Sequence, residues 1–112
     1  MADEVELTRS DGRFVCRARV ANSFVARFRG LMLTASLEPG TGLLFPRTRS
    51  VHTHFMRYPI DVVFLDADGR VASIRHGLRP WRFASSRGSR SVLELPSGES
   101  ARLGLAEGDV VS

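Results

Sequence analysis

The stretch SVHTHFMRYPIDVVFLDADGR, residues 50–70, contains the strongest fold signal in the chain. Its second half begins with IDVVFL at 60–65, an apolar run with the length of one buried strand, which Pro59 separates from the polar residues before it. DADG at 66–69 follows, and Asp-Gly is a strong turn signal because it tolerates the positive φ values of tight hairpins. We therefore predict a strand over Ile60–Leu65, a hairpin turn and a returning strand over Val71–Ile74.

Alternation and turn signals predict further elements on both sides of this hairpin. RFVCRARVA at 13–21 alternates, which predicts a half-buried strand with Phe14 and Cys16 on its buried face and Val15 among the arginines on its solvated face. NSFVARFRGLM at 22–32 changes to helical spacing and predicts a short helix, N-capped by Asn22 or Ser23. The remaining predicted elements are strands near Val51–Met56, Leu43–Phe45 and Val92–Leu95, a short helical or irregular stretch at 99–105, and a last short strand within 107–111.

These elements predict a mainly β, compact, barrel-like single domain with one or two short helices, spanning residues 1–112. The length of 112 residues is that of one typical domain, and the 43% hydrophobic content is ordinary for a soluble globular protein. There is no apolar run of transmembrane length, and the acidic, polar start lacks the features of a signal peptide. We therefore expect a cytoplasmic location, which suits a chain whose only cysteine is Cys16.

The basic residues of the chain are unevenly distributed. All 16 are arginine, and with 12 acidic residues they give a formal net charge of +4. Between Arg13 and Arg57 there are eight arginines and a single acid, Glu38. A basic face of this kind attracts nucleic acid or other polyanions, and the alternative interpretation is an ordinary solvated surface.

Five blocks in a fixed order carry a resemblance to a known family. They are RFRGLM at 27–32, GLLF at 42–45, HTHFMRYPIDVVFLDADGRV at 52–71, VLELPSG at 92–98 and GDVV at 108–111. Together they resemble the DUF192 family, also called UPF0127, over residues 27–110. The resemblance implies a compact, mostly β, barrel-type fold. It implies no mechanism, because the activity of the family is not established, and it does not include a histidine at the position of His54.

Two histidines of the opening stretch form a candidate metal site. His52 and His54 lie two positions apart, which on a strand places both imidazoles on one face at roughly 6.5–7 Å. Asp61 or His76 would then be the third ligand of a hydrolytic metal centre, with Met56 as a soft ligand on the same face. The alternative is two polar side chains on a solvated strand, and no cofactor is expected.

The positions of Arg57 and Asp61 match the family motif. The bend at Tyr58-Pro59 would bring them together as a bidentate ion pair that fixes the start of the strand. In the alternative interpretation Arg57 stays available to an anion and Asp61 orients it. Two further groups are expected to be structural: the aspartates of DADG, which lack the other ligands of a calcium loop, and the buried thiol of Cys16.

The loop RPWRFASSRGSRS at 79–91 is a second candidate binding region. Trp81 and Phe83 would offer stacking surfaces to a polyanion. In the preferred interpretation these aromatic rings, with Leu78, instead fold under the loop and cover one end of the barrel. The residues that would contact phosphates are Arg79, Arg82, Arg87 and Arg90.

Taken together, the sequence favours a non-catalytic domain that binds a small or anionic ligand at one mouth of the barrel. The predicted lining residues are His52, Met56, Arg57, Asp61 and Trp81. Three alternatives stay open. They are a metal-dependent hydrolase using His52, His54 and Asp61, a nucleic-acid or protein interaction module using the arginine-rich face, and an accessory of a secretion or pilus apparatus. No membrane insertion is expected, and the oligomeric state is left open.

Overall fold

The computed structural model describes residues 3–21, 38–53 and 56–112, which form strands and one short helix. The strands are β1 (Asp3–Thr8), β2 (Phe14–Val20), β3 (Thr41–Pro46), β4 (Ser50–His52), β5 (Ile60–Leu65), β6 (Val71–Leu78), β7 (Phe83–Ser85) and β8 (Ser91–Pro96), and the helix is α1 (Glu99–Arg102). The mainly β prediction is thereby confirmed. The helix predicted over 22–32 and the candidate ligand His54 lie outside the described residues. Within the described ranges no helix is long and apolar enough to cross a membrane.

Six strands form one sheet in the order β1-β2-β3-β8-β5-β6, and β4 pairs with β7 in a separate antiparallel ribbon. Neighbours in the sheet run antiparallel, except for β2 and β3, which are parallel. β5 lies between β8 and β6, and all six of its residues are buried. The run at 60–65 is therefore a strand buried on both faces, next to the edge strand β6, and the predicted strand over Ile60–Leu65 is present.

The side chains of β5 alternate between two apolar clusters on opposite faces of the sheet. Val63 and Leu65 belong to the first cluster, which also contains Cys16, Ala18, Leu93, Leu95, Leu105 and Val111. Ile60, Val62 and Phe64 belong to the second, which also contains Leu43, Phe45, Met56, Leu78 and Val92. The ribbon contributes Val51 and Ala84 to the second cluster, so the ribbon packs on that face of the sheet.

The C-terminal segment connects the two edge strands of the sheet at one end. Thr8, the last residue of β1, exchanges two backbone hydrogen bonds of 2.9 Å with Ser112. On the other side, the N–H of Val71 in β6 donates to the carbonyl of Asp109 at 2.7 Å, and the N–H of Val111 donates to Gly69 at 2.8 Å. The sheet is not closed as a barrel along its length, and this bridge is what makes it barrel-like.

The hairpin turn between β5 and β6 has the predicted form. The side chain of Asp66 accepts the N–H groups of Asp68 and Arg70, both at 2.9 Å, so the first aspartate of DADG is a turn residue. Gly69 has a φ of 78°, and a Cβ atom at this position would collide with the carbonyl oxygen of Val111. The turn therefore also fixes the hairpin to the C-terminal bridge.

Several boundaries differ from the sequence predictions. β1 was not predicted, β4 ends at His52 rather than near Met56, and β7 lies inside the predicted loop 79–91. In β2 the side chain of Phe14 is 46% exposed and Val15 is buried, the reverse of the predicted alternation. The cause is a shift of register between Leu7 and Thr8 of β1, which interrupts the alternation at the start of β2.

Candidate functional site

Thr53 holds the turn that follows β6 against the end of β4. Its side chain is fully buried, and its hydroxyl donates to the carbonyl of Arg79 at 2.6 Å while accepting the N–H of Arg82 at 2.9 Å. The backbone N–H of Thr53 donates to the carbonyl of Arg82 at 2.8 Å, and its carbonyl accepts the N–H of Trp81 at 3.0 Å. This single residue therefore places the turn at 79–82 beside His52, the last residue of β4.

The side chains presented by this arrangement are aromatic and cationic. His52 and Phe83 are paired across the ribbon, so their side chains lie on the same face, and Phe83 is 62% exposed. Trp81 is 61% exposed, and its φ of 63° is a left-handed value that residues other than glycine rarely adopt. Together with the exposed Arg79 and Arg82, these residues form what we call the aromatic–arginine surface.

The interpretation in which the aromatic rings of the 79–91 loop fold under it is wrong for Trp81 and Phe83. The ribbon register explains the difference for Phe83, because Ala84 faces the core and its neighbour in the strand must then face outward. Leu78 does cover the core, at 8% exposure. The aromatic groups therefore lie on the surface, where a ligand can reach them.

The segments around this surface carry positive charge and no carboxylate of their own. Residues 47–53 and 79–91, which contain the ribbon and its flanking turns, have six arginines and no acidic residue. All six are exposed: Arg47, Arg49, Arg79, Arg82, Arg87 and Arg90. The ion pairs of the described part of the chain use Arg9, Arg13 and Arg102, and none of these six takes part in them.

The five residues predicted to line one ligand pocket occupy different environments. His52 and Trp81 belong to the aromatic–arginine surface. Met56 is buried in the second apolar cluster, and the adjacent Arg57 is exposed. Asp61 is fully buried and, by the alternation of β5, lies on the opposite face from Met56. The structure thus brings His52 and Trp81 together and places Met56 and Asp61 in the interior.

Asp61 has backbone and hydroxyl partners instead of the predicted ion pair with Arg57. Its Oδ1 accepts the N–H of Gly77 at 2.9 Å, and its Oδ2 accepts the N–H of Gly98 at 3.2 Å. Oδ2 also accepts both the N–H and the hydroxyl of Ser100, at 3.0 and 2.5 Å. Burial acts to raise the pKa of this carboxyl, but the hydrogen bonds outweigh burial and hold the pKa below its usual value.

His76, predicted only as a possible third metal ligand, completes this hydrogen-bond network. The Nδ1 atom of His76 lies 3.0 Å from the hydroxyl oxygen of Ser100, so that a carboxylate, a hydroxyl and an imidazole form one chain from Asp61 outward. Ser100 is fully buried and His76 is exposed. Gly77 lies inside β6, which runs four residues beyond the predicted end at Ile74, and a glycine inside a strand often marks a bulge that redirects a neighbouring side chain.

Glu99 fixes the position of α1, which carries Ser100. Its buried carboxylate accepts the N–H of Gly40 at 3.1 Å and two hydrogen bonds from the guanidinium of Arg102. The bond from Arg102 is the main reason that the pKa of Glu99 is lowered. Burial, with a smaller effect of the Glu99 charge, raises the pKa of Cys16 to about 12. The thiol is therefore protonated and enclosed, and its predicted burial is confirmed.

The described residues do not form a cluster of ligands that would support the metal-site hypothesis. Asp61 already accepts four hydrogen bonds, and His52 lies on the exposed face of the ribbon. In residues 3–21, 38–53 and 56–112 there is no group of three or more His, Cys, Asp or Glu side chains suited to holding a metal ion. His54, the remaining predicted ligand, lies outside those ranges.

Comparison with known proteins finds relatives over nearly the whole chain. The DUF192 family, described as an uncharacterized ACR, matches residues 5–112. A UPF0127 protein of Thermococcus sibiricus is 37% identical over 100 residues, which are 85% of this chain and 64% of that protein. A UPF0127 protein of Pyrococcus furiosus is 38% identical over 98 residues, 81% of either chain. The chain thus spans about 64% of the length of the Thermococcus sibiricus relative.

Two crystal structures share the fold. A protein of unknown function from Novosphingobium aromaticivorans matches with a TM-score of 0.84 and 29% identity, over 97% of this chain and 84% of the other. A protein from Sinorhizobium meliloti, described as a putative transcription regulator, matches with a TM-score of 0.83 and 29% identity. In that case 99% of this chain and 94% of the other are covered.

Proposed function

Because the chain belongs to the DUF192 family, whose matched relatives are uncharacterised, we propose a function from its own surface chemistry: non-catalytic binding of an anionic ligand by the aromatic–arginine surface. The anion that this surface fits best is a single strand of nucleic acid. Such a strand offers phosphates to guanidinium groups and unpaired bases to aromatic rings, and proteins that bind single strands combine these two contacts.

One observation carries the proposal. Trp81 and Phe83 are each more than 60% exposed, and they lie in segments that contain six arginines and no acid. Either feature alone is common on protein surfaces, but large exposed rings usually indicate a partner when they are grouped. The left-handed backbone of Trp81, held by Thr53, supports the same interpretation because strained conformations concentrate at binding sites.

The proposal keeps part of the ligand site predicted from the sequence. His52 and Trp81 remain in it, and the exposed Arg57 is a further cation three positions beyond His54 in the chain. Met56 and Asp61 are buried, so we leave them out of the contact surface. The description of the Sinorhizobium meliloti protein as a putative transcription regulator is compatible with a nucleic-acid partner.

Binding of a fluorescein-labelled single-stranded oligonucleotide, followed by anisotropy, tests the proposal with matched variants. Phe83→Ala removes an exposed ring from the surface, and Phe14→Ala removes one that is 46% exposed on β2. We expect Phe83→Ala to weaken binding about tenfold, which corresponds to one stacked base at ~1.4 kcal/mol. Phe14→Ala should leave binding unchanged.

Arginine variants test the electrostatic half of the same proposal. In single-stranded complexes each phosphate contact contributes a slope of about 0.7 to log Kd against log salt. Arg79→Gln and Arg82→Gln should each reduce the slope by about that amount, while Arg17→Gln, on the exposed face of β2, should not. Equal reductions of the salt slope in all three variants would mean that binding depends only on the net charge of the chain. Absence of binding at low salt would refute the proposal altogether.

A further inference from the structure

The chain of hydrogen bonds from Asp61 through Ser100 to His76 has only one consistent set of proton positions. The hydroxyl of Ser100 has a single hydrogen, and its oxygen lies 2.5 Å from Oδ2 of Asp61 and 3.0 Å from Nδ1 of His76. Asp61 is a carboxylate that accepts at both oxygens and has no proton to donate. The hydroxyl hydrogen therefore points to Asp61, and Nδ1 of His76 must donate its own hydrogen to Ser100.

This arrangement fixes the tautomer of the neutral imidazole. With the hydrogen on Nδ1, the lone pair is on Nε2. Ser100 is fully buried, so no solvent competes for its hydroxyl, whereas His76 is exposed. The interior end of the chain is thus enclosed and the imidazole end faces solvent.

A β-bulge aims His76 at Ser100. In the pairing of β5 with β6, Ile60 is opposite Leu78 and Val62 is opposite Arg75, so two steps on β5 correspond to three on β6. Gly77 absorbs the extra residue with a φ of 58°, and its N–H turns to the side chain of Asp61. Bulges of this kind are found beside functional sites, where they redirect a side chain.

We propose that His76 is the proton-accepting residue of a second site, separate from the aromatic–arginine surface, which receives a hydroxyl, ammonium or water group of a ligand at Nε2. When the proton is transferred, the donor's O–H or N–H bond breaks, its electron pair stays on the donor atom, and an N–H bond forms at Nε2. Nδ1 keeps its hydrogen bond to Ser100 throughout. Asp61 holds the Ser100 oxygen that accepts from Nδ1, so the ring keeps its orientation as Nε2 gains the proton.

Long-range ¹H–¹⁵N NMR of the imidazole rings tests the tautomer directly at pH 8.5, well above the ordinary pKa of histidine at about 6.5. We expect a protonated Nδ1 and an unprotonated Nε2 for His76. Ser100→Ala removes the acceptor of the Nδ1 hydrogen. In this variant the imidazole of His76 should therefore shift towards the tautomer with its hydrogen on Nε2. A proton on Nε2 of the neutral ring in the unmodified chain would overturn the proposal.

Reactivity towards diethyl pyrocarbonate tests whether the Nε2 lone pair is available. The reagent acylates an unprotonated ring nitrogen, and mass spectrometry of peptides locates the product. We expect His76 to be modified several-fold more slowly in Ser100→Ala, with His52 on the ribbon unchanged as an internal control. Equal modification rates at His76 in both chains would contradict the role of Ser100 in fixing the tautomer. The unfolding transition of Ser100→Ala verifies that the variant is folded. Neither readout depends on oligonucleotide binding, so this proposal can fail independently of the proposed function.

Discussion

Asp61 is the residue whose loss should affect the fold most directly. It is fully buried, and its four hydrogen bonds join β5 to β6, to the turn at Gly98 and to α1. In Asp61→Asn an NH₂ group replaces one oxygen, so at least one buried donor loses its acceptor. We expect a loss of ~3 kcal/mol in the free energy of unfolding, measured with urea. Asp68→Asn, in the exposed hairpin turn, should change the free energy by less than ~0.5 kcal/mol.

The same carboxyl gives the stability a defined dependence on pH. The pKa of Asp61 is lower in the folded chain than in the unfolded one, because its hydrogen bonds outweigh burial. The unfolded chain therefore binds this proton more readily, and the stabilisation is present above the ordinary aspartate pKa of about 3.9 and is lost as pH falls through the folded value. The free energy of unfolding should decline below about pH 4. In Asp61→Asn the free energy of unfolding should decline less steeply over the same range. Parallel curves for the two chains would contradict this assignment.

Sequence reasoning at the residue scale succeeded where the cause is local. The burial of Cys16 and the turn role of Asp66 were both predicted from the local sequence. The partner of Asp61 was expected four residues away at Arg57, but its donors come from Gly77 and Ser100, on other elements. Periodicity does not reveal which backbone donors a fold brings to a buried carboxylate.

Two separate constraints require a glycine at position 69, in the hairpin turn between β5 and β6. Its φ of 78° disfavours any side chain, and a Cβ atom would also collide with the carbonyl oxygen of Val111. Gly12 has a similar φ of 88° but open space around it, so it isolates the first effect. Gly12→Ala should cost ~1 kcal/mol in the free energy of unfolding.

Gly69→Ala should cost more than Gly12→Ala, by ~1–2 kcal/mol, because the C-terminal bridge must also move. Hydrogen exchange gives a second readout. The amides of Thr8 and Ser112, which bond across the bridge, should exchange faster in Gly69→Ala than in Gly12→Ala. Equal exchange in the two variants would show that the bridge does not depend on this contact.

At the scale of elements, strand prediction depended on length and on the range of pairing. β5, with six buried residues, has a strong signal in the sequence. β7 has three residues and pairs with β4, more than 30 positions earlier, so the local sequence resembles a loop. That missed ribbon is also what turns Phe83 outward, so the candidate site and the missing strand have the same cause.

Across the whole molecule, the ion-paired carboxylates and the arginines of the ribbon lie in different segments. Family membership and the mainly β fold were predicted from five sequence blocks and are confirmed. The carboxylates with described ion pairs, Asp11, Glu99 and Asp109, lie outside the segments that form the ribbon and its turns. The positive potential of a chain with net charge +4 is therefore not offset by acids of the ribbon itself, which favours the approach of an anion to that surface.

The fluorescence of Trp81 reports base stacking on the aromatic–arginine surface, because Trp81 is the only tryptophan in the chain and lies in the proposed contact surface. The chain is titrated with an unlabelled single-stranded oligonucleotide at low salt, and the titration is repeated as salt rises. We predict saturable quenching of the emission by base stacking, weakening with salt by a slope of about 0.7 per arginine contact. Emission that stays constant while the oligonucleotide binds, or no binding at any salt concentration, would contradict the account.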